Sequence, residues 1–358
     1  MRNGVAGSQS RGLSDTMRDM KRVLMFCLRD WLNPQAGAVE QYVHEVFSRI
    51  VGRGHYVAWV SHCYGGWFGR GKKSPRLETV DSIQMARLGM RHSYRAMMKF
   101  FIERLKEKGK LAGTFDVVVD CVNGRPLRAV KTADIPVLPI VFGLARRTRP
   151  TAGTLPGPVV AATNCAKRQL QRSGVPKRCI IHAPYGVDPV PCTPSREHAE
   201  RPRFVAVDKR PRTLLSVVAR TKKMGMDLEL DLLAPARSPR AASAPGDSGS
   251  SREERLQRYR EAWFGYCGLG CESEALAMGA CGLPVVCPAT EAGGEFIEAG
   301  ETGLLFEPGD AAGLMDHLRR LAEDEVLRAR LGSEARRRTQ TATWDRTASL
   351  VLGAIENL

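Results

Sequence analysis

No stretch of this sequence approaches the roughly 18–20 consecutive apolar residues that span a bilayer. The opening residues, Met1 to Met20, are polar, with Gly, Ser and Arg, and lack the apolar segment of a secretory signal. Residues 1–19 read as a disordered leader, which a translation start at Met17 or Met20 would remove or shorten. Ten cysteines are scattered without a disulfide-like framework. The closest clusters, Cys267/Cys271 and Cys281/Cys287, lack the C-x-x-C spacing of a zinc knuckle, so buried free thiols are expected and a metal site is not. Reduced thiols suit the cytoplasm. A G-x-G-x-x-G dinucleotide fingerprint is missing as well.

What is present bounds the class. At 358 residues the chain exceeds the size at which one core keeps growing, so two domains are expected. Its hydrophobic fraction of 43% and charged fraction of 26% describe an ordinary globular protein. The net charge of +16 would attract nucleic acid, an anionic membrane surface or a phosphorylated substrate. Nucleic acid is the weakest of the three, because the basic residues are spread along the chain and no stacking-aromatic motif accompanies them.

The first half opens as a βαβ unit. Arg22–Cys27 is a buried-strand pattern, Asn33–Glu40 a Pro- and Gly-containing turn, and Val43, Val46, Phe47, Ile50 and Val51 fall at helical spacing. Gly54-His55 ends that helix, and Tyr56–Val60 is the next strand. Gly65 to Arg76 form a basic loop. Arg91 to Lys108 read as a basic amphipathic helix with Tyr94, Met97, Met98, Phe101 and Leu105 on one side. Such a helix either packs on its own sheet or lies on an anionic bilayer. Further strands are expected at Phe115–Asp120 and Ile135–Val141.

In the second half, Thr213–Val218 reads as the first strand, followed by the basic turn Arg220-Thr221-Lys222-Lys223. Ala234 to Arg252 has no strand pattern and reads as linker or disorder. Glu253 to Ala262 looks helical. Ala280-Cys281-Gly282-Leu283-Pro284-Val285-Val286 reads as a helix end, a Gly turn and a buried strand. Gly303-Leu304-Leu305-Phe306-Glu307-Pro308-Gly309-Asp310 continues as strand and turn. Helical stripes follow at Leu314/Leu318/Leu321 and Val326/Leu327/Leu331, and a last helix starts at Trp344.

Those last phrases, with Glu298–Thr302 between them, resemble the C-terminal donor-sugar domain of family 4 glycosyltransferases almost letter for letter. The likeness runs from Lys21 to Leu358, with a gap in the core of the second domain at Ala234 to Tyr266. Pro184-Tyr185-Gly186-Val187-Asp188 is similar to the phrase that closes the family's first domain, with Tyr185 replacing Asn. Phe142-Gly143 stands where relatives commonly have a His that touches the donor sugar. The resemblance implies an α/β fold of two Rossmann-like domains (GT-B), the second incomplete. The domains would span 20–189 and 204–340, joined by a linker at 190–203, with a helix at 341–358 bracing the first.

It also implies transfer of a sugar from a nucleotide-diphosphate-sugar donor to a hydroxyl acceptor (a sugar, lipid-linked glycan or small molecule), with retention and without a cofactor or metal. Gly37 would turn its amide toward the donor phosphates. Arg220 with Lys222 or Lys223 would grip the diphosphate, as catalytic charges opposite the leaving group. Glu274 would hold the nucleotide ribose through two hydroxyl hydrogen bonds, unless the register that places Ala277 in that slot applies. The setting would be cytoplasmic, with peripheral contact at the inner face of an anionic membrane as a further option. The alternative is a catalytically inactive, transferase-like binding protein, since no carboxylate occupies the family's first Glu position, where Cys267 falls.

Overall fold

The computed structural model describes residues 20–65, 74–89, 94–121, 134–143, 157–188, 201–234 and 251–358. The expected leader (1–19), most of the basic loop (66–73), the start of the amphipathic helix (91–93), most of the linker (189–200) and most of the irregular segment (235–250) lie outside the described residues.

Two sheets carry the chain. The first has eight strands: β1 (Arg22–Phe26), β2 (Tyr56–Ser61), β3 (Leu77–Val80), β4 (Ile83–Arg87), β5 (Val117–Asp120), β6 (Val137–Val141), β7 (Val159–Ala161) and β8 (Ile180–His182). Their order is β3-β4-β2-β1-β5-β6-β7-β8, parallel throughout except for the β3–β4 hairpin. Its turn holds Asp81 and Ser82 at φ 51° and 60°, a conformation in which short polar side chains are tolerated. The sequence reading does not include this hairpin: β3 is mostly exposed at the sheet edge, and the alternation of β4 is only five residues long.

Alternate residues of β1 point to opposite faces. Val23 and Met25 face helix α1 (Ala38–Gly52), which presents Val43, Val46, Phe47 and Ile50. Leu24 and Phe26 face α2 (Tyr94–Glu107) and α3 (Lys110–Thr114). Met98 and Ile102 of α2 are buried there, and Phe101 and Leu105 pack beside them. The apolar stripe of this basic helix therefore covers its own sheet. A further helix, α4 (Asn164–Arg172), lies between β7 and β8 and is capped by Thr163, whose Oγ1 accepts the Ala166 N–H at 2.9 Å.

The second sheet has β9 (Arg203–Val207), β10 (Glu229–Leu233), β11 (Phe264–Cys267), β12 (Val285–Pro288) and β13 (Gly303–Phe306), all parallel in the order β10-β9-β11-β12-β13. One face packs on α5 (Arg212–Lys223) and α9 (Ala311–Glu323), and the other on α6 (Arg252–Glu261) and α7 (Glu274–Ala280). Compared with the doubly wound order 3-2-1-4-5-6, the described residues lack only the outermost strand beyond β10. α6 and β11 thus occupy the stretch where the sequence pattern gave only one helix, and β10 stands just before it.

Thr213–Val218 is helix, not strand. Leu214, Val217 and Thr221 are buried on one face at helical spacing, Pro211 stands just before the first turn, and Gly225 ends the helix at φ 83°. The run of β-branched and Leu residues misled because propensity yields to burial pattern. The first strand is instead Arg203–Val207, so the expected linker overlaps it at Arg203.

The small helix α8 (Gly293–Phe296) follows β12. Helices α10 (Glu325–Thr339) and α11 (Trp344–Glu356) end the chain. α11 crosses to the first domain, where Val351, Ala354 and Ile355 join the α1 core cluster. Arg53 donates to Ser349 Oγ and to the Asp345 carbonyl, which adds a polar seam. At this junction Gly186 lies directly on the backbone of Thr343 and Trp344, leaving no room for a Cβ. Gly186→Ala is expected to lower unfolding free energy by about 2 kcal/mol or more, since the obstructing atoms are main chain. Urea denaturation measures it, and an unchanged midpoint would contradict this packing.

Candidate active site

In an open α/β sheet, ligands bind beyond the carboxyl ends of the strands where the strand order reverses. In the second domain that point lies between β9 and β11. The loop after β9 carries Asp208, Lys209 and Arg210, and the loop after β11 carries Gly268 to Ser273. The two loops interlock. A Cβ on Gly268 would collide with the Asp208 carboxylate, so a larger residue there would displace that side chain. Asp208 Oδ1 accepts the Arg210 N–H at 2.8 Å, and the Tyr266 hydroxyl donates to its Oδ2 at 3.4 Å. Lys209 Nζ donates to the Gly270 carbonyl at 2.9 Å. Lys209 and Arg210 are exposed. Two cations thus stand at the mouth of the switch point. Cys271 is buried beside them, and burial pushes its thiol up to about 12.

Across the crevice stands the first domain. Glu295 on α8 accepts the Asn164 N–H at the amino terminus of α4, with Oε1 and Oε2 at 2.7 and 2.8 Å. Burial raises its carboxyl above the ordinary range despite those hydrogen bonds. Cys165 donates to Glu291 at 3.1 Å. Tyr185 meets Tyr42, Phe296 and Trp344 with ring centroids 5.1, 5.5 and 5.9 Å apart. Phe142, 6.3 Å from the Tyr185 ring, joins the same cluster. The two departures from the family pattern, Phe142 and Tyr185, are thus neighbours in one aromatic wall.

The expected site residues divide. Arg220, Lys222 and Lys223 lie in the last turn of α5. That helix starts at the β9 carboxyl end and runs back for 12 residues, about 18 Å, to the turn before Glu229. Glu229 pairs with Arg203, the first residue of β9. These three cations are therefore at the amino edge of the sheet, away from the crevice. The error follows from reading their helix as a strand. Lys209 and Arg210 hold the position expected of them, and recognising Arg203–Val207 as a strand would have found both.

Gly37 is at the amino terminus of α1, as expected, but its N–H donates to Glu40 Oε2 at 2.8 Å in a capping arrangement. Glu40 is held in turn by Arg29, with Nε 3.0 Å from Oε1. Glu274 is in the first turn of α7, yet its carboxylate points into the domain. The Tyr259 hydroxyl donates to Oε2 at 2.9 Å, and Arg255 Nη2 is 3.1 Å from the same oxygen. Arg255 also donates to the Ala234 carbonyl at the end of β10. Burial pulls the Arg255 guanidinium down, but Glu274 and Tyr259 outweigh it and leave it above its ordinary value. Burial, reinforced by the Glu274 charge, holds the Tyr259 hydroxyl well above the usual tyrosine range.

The fold so described is GT-B, and solved structures share it. A sucrose-phosphate synthase from Thermosynechococcus elongatus is 18% identical with a TM-score of 0.68, over 94% of this chain and 98% of that one. A glycosyltransferase from Rickettsia africae ESF-5 is 14% identical with a TM-score of 0.67, over 94% and 98%. HepE from Anabaena, in complex with UDP and glucose, is 11% identical with a TM-score of 0.63, over 94% and 100%. Residues 274–338 match the family model described as glycosyl transferases group 1. No curated protein matches this chain in sequence. Among the described residues no helix is long and apolar enough to cross a membrane.

Removing the Glu274 carboxylate would strand the buried Arg255 charge. Glu274→Ala is expected to cost about 3–5 kcal/mol of stability, read from chemical denaturation. Were Glu274 a ligand-facing residue, nucleotide affinity would drop while the denaturation midpoint stayed in place.

Proposed function

We propose that this protein is a glycosyltransferase that moves a sugar from a nucleotide-diphosphate-sugar donor to a hydroxyl acceptor, with retention. The observation that carries this reading is the pair of exposed cations, Lys209 and Arg210, at the switch point of a GT-B fold. The match of residues 274–338 to group 1 glycosyl transferases supports it. A diphosphate would draw Lys209 from the neutral Gly270 carbonyl, because a charge-assisted hydrogen bond is the stronger one. As the bond from the anomeric carbon to the diphosphate breaks, that group departs with the electron pair. Lys209 and Arg210 neutralise the charge it gains. The acceptor oxygen bonds to the anomeric carbon and its proton leaves with the diphosphate. The nucleotide sugar is a substrate, and the reading calls for no cofactor. The acceptor is a sugar, a lipid-linked glycan or a small molecule. We place the reaction in the cytoplasm.

A second reading, a transferase-like binding protein without turnover, is favoured by one observation: Glu274 is committed to Arg255 and Tyr259. Transfer or hydrolysis of common sugar nucleotides by purified protein separates the two. Replacing both Lys209 and Arg210 by Ala should lower kcat/KM about 10²–10⁴-fold, at about 1.5–3 kcal/mol for each of two hydrogen bonds to a charged group. Arg220→Ala with Lys223→Ala should leave it within about twofold, as remote exposed charges do. Absence of turnover with every donor, alongside intact nucleotide binding, would favour the second reading.

A further inference from the structure

Arg220, Lys222 and Lys223 lie away from the crevice, and the chemistry proposed above leaves them without a task. They belong to a longer basic stretch. Residues 209–226 contain six Lys and Arg residues (Lys209, Arg210, Arg212, Arg220, Lys222 and Lys223) and no Asp or Glu. Arg212, Arg220, Lys222 and Lys223 are exposed, and none of the four forms an ion pair among the described residues. The acids that bracket the stretch are engaged: Asp208 with the Arg210 N–H and Tyr266, and Asp227 with Arg201.

The helix arranges these charges on one side. α5 buries Leu214, Val217 and Thr221 against its sheet. Arg212, Ser216, Ala219 and Lys223 follow one another at spacings of four, three and four residues, so they form a single crest on the opposite side. Leu215 and Lys222 flank that crest on one side, and Arg220 flanks it on the other. Leu215 is 46% exposed, and Met224, just past the helix, is 70% exposed. Ser216 and Ala219 are small, so nothing bulky stands between the cations. Those in the last turn complement the helix dipole, but Arg212 in the first turn opposes it, so helix stability does not account for its charge.

We propose that the outer face of α5 is a docking surface for an anionic phospholipid bilayer. A leaflet with negative headgroups attracts each Lys or Arg held near it. Leu215 and Met224 place apolar area among the cations, which the headgroup boundary takes up and a nucleic-acid backbone does not. No aromatic side chain lies on α5 to stack on bases. The basic helix α2 is the poorer surface. It exposes Phe100, but Lys99, Arg104 and Lys106 lie beside Glu103, Glu107 and Asp134, and its apolar stripe is spent on its own sheet. On α5 the basic face runs from the mouth of the crevice, where Lys209 and Arg210 stand, to the amino edge of the sheet. Docking along it sets the crevice beside the headgroups, within reach of a lipid-linked acceptor, and that consequence alone rests on the transferase reading.

The test is cosedimentation of the full chain with vesicles of phosphatidylcholine alone and of phosphatidylcholine and phosphatidylglycerol in equal parts, with a short DNA duplex titrated in parallel. The wild-type chain is expected to bind the anionic vesicles and not the neutral ones, and to bind less as salt rises. Arg220→Gln, Lys222→Gln and Lys223→Gln together should weaken that binding about 100-fold, each cation near an anionic surface contributing roughly fivefold. A circular dichroism spectrum matching wild type shows that this variant is folded. Leu215→Ser with Met224→Ser should weaken vesicle binding about tenfold and leave duplex affinity unchanged. Lys99→Gln with Arg104→Gln on α2 should leave vesicle binding within about twofold. The proposal is overturned if wild type shows no preference for anionic vesicles, if the triple variant binds them as wild type does, or if the α2 variant is the one that loses binding. It is also overturned if the duplex binds more tightly than the vesicles and the Leu215 and Met224 changes leave vesicle binding intact, which would mark a nucleic-acid surface. Vesicle binding is read without turnover, so each of these results leaves the transferase reading standing, and absence of sugar transfer counts against that reading alone.

Discussion

The crevice of this protein depends on the packing around Tyr185. Its ring is buried where the first sheet, the helix returning from the C-terminus and the second domain meet. Tyr42 comes from α1, Trp344 from α11 and Phe296 from α8, so one side chain touches elements separated widely in sequence. Large aromatic contacts of this kind bury much apolar area and add a geometric preference. The segment that carries Tyr185 is tied down on either side. Tyr42 donates to the Ala183 carbonyl, Thr347 to the Pro184 carbonyl, and Val187 N to the Ala342 carbonyl. Ion pairs at the same junction, from Arg49 and Arg252 to Asp188, are part-exposed and contribute less. Apolar packing therefore sets the relation of the two carboxyl-end crevices, and charge decorates it.

On that frame the polar groups fall into two kinds. Some are consumed by the fold. Asp30 and Arg87 form a fully buried pair, with Arg87 Nε 2.8 Å from Asp30 Oδ2 and Ser61 donating to the same oxygen. Arg255, Tyr259 and Glu274 form another group, which joins the end of β10 to the start of α7. Others stay at the surface: Lys209 and Arg210 are exposed at the switch point. The division follows from the cost of desolvation: a charge removed from water is satisfied by the protein, and one that is not stays in solvent.

Much of the architecture was legible from periodicity. The opening βαβ unit, the helix over Ala38–Gly52, the strands near Val285 and Gly303 and the three closing helices follow from apolar spacing and turn residues. The β3–β4 hairpin was not: β3 is a mostly exposed edge strand, and the alternation of β4, with Ile83 and Met85 buried, spans only five residues. The start of the second domain was misread for the opposite reason. Thr213–Val218 carries so much apolar and β-branched character that it imitates a strand, while the true strand, Arg203–Val207, is bracketed by charges. That single exchange moved the expected phosphate grip to Arg220, Lys222 and Lys223, one helix length from where the sheet topology places Lys209 and Arg210.

By itself the sequence determined the α/β alternation, the presence of two domains and the position of the glycine turns, because each is a local consequence of spacing and backbone freedom. It also placed Glu274 at the start of a helix. Only the tertiary structure decided which charges are spent inside and which face the crevice. A carboxylate's partners come from other elements, here Arg255 and Tyr259 one helix away, and no one-dimensional pattern records which way a side chain turns to meet them.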